Sequence, residues 1–388
     1  MHLLVALLLL QTDPGGEVPE LLRMLGSEVL EERTRAESRL KEIGRPAIPA
    51  LEGIARSGDS ELRARSRGIL EFLARKERVG ALRPSDRRVS ADLQDVPFSD
   101  AIRQVLGPYG MKAAAGEGNG NGRRVTLSLK GAHFWEAIAR LEEASGTKFH
   151  SSTGVFSAPT EWPVQSAGNV HGRVEIDSWG SRSNGRGESK KALFLYAGLS
   201  PGAWACNAEV NDLKVVDRSG KPIDHEWVGS PTFGRTADGI SRGEVGTVAI
   251  GGKDLAGVEE LLLTGTMALD VPNDIERRFF SQVKGKIQVP GGTLRVDYLD
   301  RREDGLWHYG VDIASDEAPV RALLSVEDEN GRWMGDLRAL YHSGHGSLGV
   351  SSSVVLAEGK PFRSVATIAL GTDRLEIPFR LSVKVDGK

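Results

Sequence analysis

Leu263-Thr264-Gly265-Thr266-Met267-Ala268-Leu269-Asp270-Val271-Pro272 returns, 106 residues on, as Ala369-Leu370-Gly371-Thr372-Asp373-Arg374-Leu375-Glu376-Ile377-Pro378. Two further markers keep the same order. Val216-Asp217-Arg218-Ser219-Gly220-Lys221 returns as Glu327-Asp328-Glu329-Asn330-Gly331-Arg332 after 111 residues. Gly172-Arg173-Val174-Glu175-Ile176-Asp177 returns as Gly292-Thr293-Leu294-Arg295-Val296-Asp297 after 120. Drift of a few residues is what insertions in surface loops produce, because loops tolerate length changes that strands do not. Between the markers run short apolar–polar alternations such as Ala192–Tyr196 and Val245–Ile250, the period of a half-buried strand. The Asp-x-x-Gly phrase is a hairpin-turn signal. Residues 165–388 therefore read as two tandem antiparallel β-sandwich domains, 165–275 and 276–388.

Upstream, a second duplication has a different period. Val89-Ser90-Ala91-Asp92-Leu93, followed by Phe98, Asp100, Ala101 and Ile102, aligns with Val125-Thr126-Leu127-Ser128-Leu129, followed by Phe134, Glu136, Ala137 and Ile138, at a shift of 36. Gly110 and Lys112 match Gly146 and Lys148 at the same shift. Each copy alternates, then turns to helical spacing, then meets a glycine and a short final strand. Residues 88–151 read as a small α+β unit of duplicated strand–helix–strand. This phrase resembles the short N-terminal domain of secretins and TonB-dependent transducers. The resemblance implies an extracytoplasmic docking module without catalysis, whose open sheet edge meets partner proteins. No barrel or secretin core follows, so channel assembly and signalling are not implied. The sandwich region resembles immunoglobulin-like modules in pattern alone, because the Cys…Trp…Cys signature is absent.

The first part of the chain is helical by the same test. Leu21, Leu22 and Leu25, then Ala36, Leu40 and Ile43, then Ile48, Leu51, Ile54 and Ala55, then Leu62, Ile69, Leu70 and Leu73 fall at helical spacing. Gly44 and Gly58 stop helices, Pro46 suits a first turn, and Asp59-Ser60-Glu61 supplies caps. Arg33, Arg35, Leu40 and Ile43 recur thirty residues later as Arg63, Arg65, Leu70 and Leu73. The stretch Glu32 to Leu51 resembles HEAT-type helical repeats, which implies protein–protein contact over residues 17–80. Each helix pair of such an array leaves an apolar face for its neighbour to cover. Arg63, Arg65, Arg67, Arg75, Lys76 and Arg78 are interleaved with Glu61, Glu71 and Glu77, so the series reads as a solvated face rather than a phosphate-binding one.

Leu3 to Leu10 is unbroken apolar sequence, too short at about 12 Å of helix to span a hydrocarbon core of about 30 Å. It suits the apolar centre of a secretory signal, with residues 1–12 as the signal segment, although no Lys or Arg precedes it and no small-x-small site follows Leu10. The fold class expected is thus multidomain: an α-helical repeat, a small α+β unit and two β-sandwiches, exported to the periplasm or beyond.

Composition narrows the chemistry. In 388 residues, 50 Lys and Arg against 53 Asp and Glu give a net charge of −3, which excludes a strongly basic nucleic-acid binder. A single cysteine, Cys206, excludes an intrachain disulfide framework and an iron–sulfur cluster, and its small apolar neighbours read it as a core thiol. The alternating glycines of Gly116–Gly122 lead into a strand rather than a helix, so they form a loop and not a phosphate cradle. His342 and His345 with Asp336 upstream are the weak metal candidates, but the intervening glycine denies them the single helix face that catalytic zinc uses. Asp328-Glu329-Asn330-Gly331 lacks the downstream Glu of a calcium loop and reads as a turn.

No catalytic constellation emerges and no cofactor is implied. The expectation is a non-enzymatic extracytoplasmic adaptor that binds other envelope proteins, without nucleic acid and without a transmembrane helix in the mature chain. Two alternatives stand beside it. One is carbohydrate or surface binding through sandwich tryptophans, Trp307 and Trp333 foremost, because indole faces stack on sugars. The other is a hydrolase working through a carboxylate pair in a cleft.

Overall fold

The computed structural model describes residues 14–57, 59–84, 86–111, 114–115, 122–150, 155–157, 165–168, 172–183, 189–235, 241–303, 305–315, 319–342, 346–354, 356 and 360–385. Their contacts divide the chain into two units, Met1–Gly80 and Ala81–Lys388.

The first unit is helical: α1 (Pro14–Leu25), α2 (Leu30–Ile43), α3 (Ile48–Ser57) and α4 (Ser60–Ala81). Residues three and four apart on these helices bring Leu21, Leu25, Ala36, Leu40, Leu51, Ile69 and Leu73 into one core. Gly44 ends α2 at φ 73° and ψ −131°, with its N–H donating to the Leu40 carbonyl at 3.1 Å, a backbone region open to glycine and closed to side chains with a Cβ. Asp59 caps α4 by accepting the Leu62 N–H at 2.8 Å. Among the described residues no helix is long and apolar enough to cross a membrane.

The second unit begins with β1 (Val89–Pro97), α5 (Phe98–Leu106), β2 (Ala114–Ala115), β3 (Arg124–Ala132), α6 (Phe134–Ser145), β4 (Lys148–His150) and β5 (Val155–Ser157). β1 and β3 pair antiparallel, while β2 and β4 flank β5 in a second small sheet. The 36-residue duplication is visible in the core, where Phe98 and Phe134, and Ile102 and Ile138, occupy matching buried positions.

Among the described residues fourteen strands follow, and their order repeats. The first seven are β6 (Gln165–Gly168), β7 (Gly172–Ser183), β8 (Ser189–Leu199), β9 (Asn207–Asp217), β10 (Glu226–Arg235), β11 (Ser241–Ile250) and β12 (Glu260–Phe279). The second seven are β13 (Gly285–Val289), β14 (Gly292–Arg301), β15 (Trp307–Ser315), β16 (Val320–Glu327), β17 (Trp333–His342), β18 (Gly346–Val354) and β19 (Arg363–Lys384). The sheet β6-β7-β8-β11-β10 has its counterpart in β13-β14-β15-β18, and the pair β9-β12 has its counterpart in β16-β19. One strand departs from the scheme: β10 pairs with β11, whereas its counterpart β17 pairs with β16. Both Asp-x-x-Gly turns close alike. Asp217 Oδ1 accepts the N–H groups of Ser219 and Lys221 at 2.8 and 3.0 Å, and Asp328 Oδ1 accepts those of Asn330 and Arg332 at 2.8 and 2.9 Å. Gly220 and Gly331 sit at φ 88° and 74°, where a Cβ is disfavoured.

The two halves are joined through a common sheet, β17-β16-β19-β12-β9. The first part of β12 pairs with β9 and the first part of β19 with β16, and the two long strands pair with each other from Glu260↔Lys384 to Phe279↔Val365. The duplicated decapeptides thus lie against one another. Leu269 pairs with Leu375, Thr266 with Pro378, and Pro272 with Thr372, a reciprocal exchange that defines a local twofold relation at the leucine pair. Residues of the four-stranded sheet (Leu294, Val296, Val311, Ile313) share one apolar cluster with β16 and β19 (Ala322, Leu324, Ala366, Ile368). In the other half, a Cβ on Gly172 of β7 would strike the Ile377 side chain of β19, so the end of the last strand packs against the first half. The expected cut at 275/276 therefore falls inside β12, because each long strand continues beyond its own half to pair with the other.

Candidate functional site

Three places in the second unit concentrate chemistry. The first is buried. Cross-strand neighbours on β7, β8 and β11 form the rows Arg173–Gly198–Arg242 and Glu175–Tyr196–Glu244. Alternation sends Val174 and Ile176 into the core and Arg173 and Glu175 to the opposite face. Two side chains of α6, Trp135 and Glu142, reach that face at Gly198 and Arg173. The Trp135 ring lies 3.0 Å from where a Cβ on Gly198 would stand, so the missing side chain is what admits the indole. Arg173 lies 5.7 Å from the Trp135 ring centre, and Arg242 lies 3.8 Å from that of Tyr196, both within cation–π range. Glu142 of α6 accepts Arg173 Nη2–H at 3.0 Å and the Phe149 N–H at 2.9 Å. Glu175 stands 3.4 Å from Arg173 Nε and 3.6 Å from Arg242 Nε. The side chains of Arg173, Glu142 and Glu175 are 6%, 8% and 1% exposed. Charges this deep persist only when paired, and removal of one partner leaves the other stranded. The cluster is a joint that seats the α+β unit on the β-sheet.

The second place is the open edge of β3. Val125, Leu127 and Leu129 face the core while Arg124, Thr126, Ser128 and Lys130 face solvent, a regular alternation with no proline. Its partner β1 is interrupted by a bulge. Asp95 takes φ 48°, its N–H donates to Thr126 Oγ1 at 3.1 Å, and its carboxylate meets Arg124 Nε at 2.9 Å. A bulge, like the Pro97 that ends β1, blunts a strand edge. Among the described residues β3 pairs with β1 alone, and none of them pairs along its second edge.

The third place is a cleft of about 460 Å³ lined by Lys190, Asp224, His225, Glu226, Lys253 and Asp254 with the glycines 251 and 252. Lys190 and Glu226 pair at 2.9 Å, and His225 Nδ1 donates to the Ile223 carbonyl at 2.9 Å. The Asp254 carboxylate folds over Gly251 at a point where a Cβ would meet it. The lining mixes both charge signs, with Asp224 and Glu226 exposed. Among the described residues no three His, Cys, Asp or Glu side chains converge as a metal site.

Trp307 opens β15 and packs half-buried on the core of the second half, and Trp204, 1% exposed, offers no indole face for stacking. Trp333 begins β17, and its side chain lies outside the described residues, as do the side chains of Asp336 and His342 and the whole of His345. Cys206 is buried, and desolvation pushes its thiol far above the ordinary range, so it remains an unreactive thiol at neutral pH. Sequence reading missed the joint. Arg173 and Glu175 stand at the polar positions of an alternating strand, and nothing local distinguishes a covered polar face from a wet one.

No family model matches the chain, and no curated protein matches it. Among solved structures, the isomalto-dextranase of Arthrobacter globiformis T6 complexed with panose aligns at 8% identity and a TM-score of 0.16, over 50% of this chain and 36% of that one. A likeness of that size carries no argument about fold or activity.

Proposed function

We propose that the protein is a non-enzymatic extracytoplasmic adaptor that binds other proteins by adding a partner strand to the free edge of β3. On this reading the N-terminal helices are a HEAT-type stub, the α+β unit is a docking module of the secretin/TonB short-domain kind, and the β halves are two sandwiches that carry it. The observation that carries the reading is the edge itself: a regular strand with a polar outer face, which among the described residues has a bulged neighbour on one side and no partner strand on the other. An exposed edge of that kind templates main-chain hydrogen bonding with an incoming segment. The buried Arg173–Glu142 joint supports it further, because a docking strand seated on a rigid base loses less entropy on binding.

The test is site-specific photocrosslinking in the envelope fraction. A photoreactive residue at Thr126 or Ser128 should capture the same protein species, and one at Arg295, on the outer face of the second half, should not. Absence of any adduct above background at both β3 positions overturns the reading.

A further inference from the structure

Glu327, at the end of β16, has a side chain only 7% exposed, and two arginines hold it. Arg277 Nη2 donates to Oε1, while Arg363 donates from Nε and Nη2 to Oε2 at 3.1 and 2.8 Å. One carboxylate balances one guanidinium, so the cluster keeps a surplus positive charge. Both guanidinium groups also flank Phe279, at 5.1 Å (Arg277) and 4.5 Å (Arg363) from its ring centre. Phe279 is 47% exposed, and Phe362, next to Arg363, is 53% exposed. The Phe362 N–H donates to the Glu327 carbonyl at 2.9 Å, which anchors the second ring at the same corner. Arg277 Nε and Nη1 and Arg363 Nη1 are not used by Glu327.

We propose that this corner is a second docking surface, which takes an acidic, apolar segment of a partner protein. A partner carboxylate meets the guanidinium donors that Glu327 leaves over, and the adjoining apolar side chain covers Phe279 and Phe362. Charge complementarity selects the occupant: the surplus cation attracts an acidic segment and repels a basic one. Glu327 fixes both arginines before the partner arrives, so little rotamer entropy remains to be lost on binding. Aromatic rings and arginines are also the side chains that concentrate binding energy at interface centres. The inference rests on the protein-binding reading and is independent of the β3 edge.

The experiment uses the full chain and a fluorescein-labelled Asp-Phe-Asp-Leu-Asp peptide, read by anisotropy, beside Lys-Phe-Lys-Leu-Lys. The acidic peptide should bind and the basic one should not. Phe279→Ala should weaken binding about tenfold, equivalent to about 1.4 kcal/mol, with an unchanged melting temperature because the ring is half exposed. Arg277→Gln leaves Arg363 on Glu327, removes the surplus charge and should abolish the preference for the acidic peptide. Equal binding of the two peptides, or an acidic peptide indifferent to Phe279→Ala, overturns the proposal. So does self-association of the chain that Phe279→Ala abolishes, since that assigns the corner to a second copy. Crosslinks at β3 that persist in Phe279→Ala while peptide binding is absent refute this corner and leave the adaptor reading standing.

Discussion

The two β halves carry the same strand phrase with opposite fates for its outer face. Val174 and Ile176 of β7, and Leu294 and Val296 of β14, are all buried, as alternation requires. The outward positions diverge. Glu175 is 1% exposed between Arg173 and Arg242, whereas its counterpart Arg295 is 52% exposed and pairs with Asp297 and Asp312 at 2.8 and 3.3 Å. The core face of a strand follows from its own sequence; the other face takes its energetics from whatever is laid over it. In the first half Glu142 and Trp135 of α6 reach that face at Arg173 and Gly198 and make Arg173 part of a buried joint.

The contrast is open to mutation, most sharply at the arginines. Arg173→Ala leaves Glu142 and Glu175 buried without this partner and should lower the unfolding free energy by about 3–5 kcal/mol. Arg295→Ala breaks exposed pairs and should cost about 0–1 kcal/mol. Urea denaturation of both variants measures the difference, and equal losses would dissolve the distinction. A smaller effect is expected at the glycine that admits Trp135. Gly198→Ala places a methyl group 3.0 Å from the indole and should cost about 1–3 kcal/mol through overpacking. Gly349→Ala on β18, with open space around the added Cβ, should stay within about 0.5 kcal/mol of the parent.

The smallest effect concerns acid. Arg83 donates to Asp373 at 2.5 Å and Asn273 donates to it at 2.7 Å. These bonds, Arg83 first, hold the Asp373 carboxyl below the usual carboxylate value. A depressed carboxyl stabilises the fold above its unfolded pKa and loses that contribution as pH falls through the folded value. The Arg83 tether should therefore weaken only below about pH 4, near the ordinary carboxylate pKa. Melting curves of the parent and Asp373→Asn should converge as pH falls through that window; a constant separation down to pH about 2 would exclude the coupling.

Much of the fold is legible in sequence where the cause is local. Helix spacing, the stop at Gly44, the cap at Asp59 and the paired Asp-x-x-Gly turns each follow from a few neighbouring residues. The duplications are legible too, since they need only self-comparison. The joining of β12 to β19 is not, because the pairing of Leu269 with Leu375 links residues more than a hundred apart, and no turn between them sets its register. The same holds for the charged clusters. Glu327 meets Arg277 and Arg363 from 50 and 36 positions away, and Arg173 meets Glu142 from another module. Chemistry assembled by topology leaves no spacing to read, whereas the sequence candidates His342, His345 and Trp333 drew notice through local pattern.

One measurement bears most directly on the claim that the duplicated halves form a single interlocked body. A protease site placed in the turn Ser281–Lys284, which joins β12 to β13, allows the chain to be cut between the halves. Light scattering after gel filtration should then return one particle with the mass of the intact chain, because the long β12–β19 ladder still binds the fragments, and only denaturant should part them. Two smaller folded species, separating without denaturant, would contradict the account and make the halves independent domains in tandem.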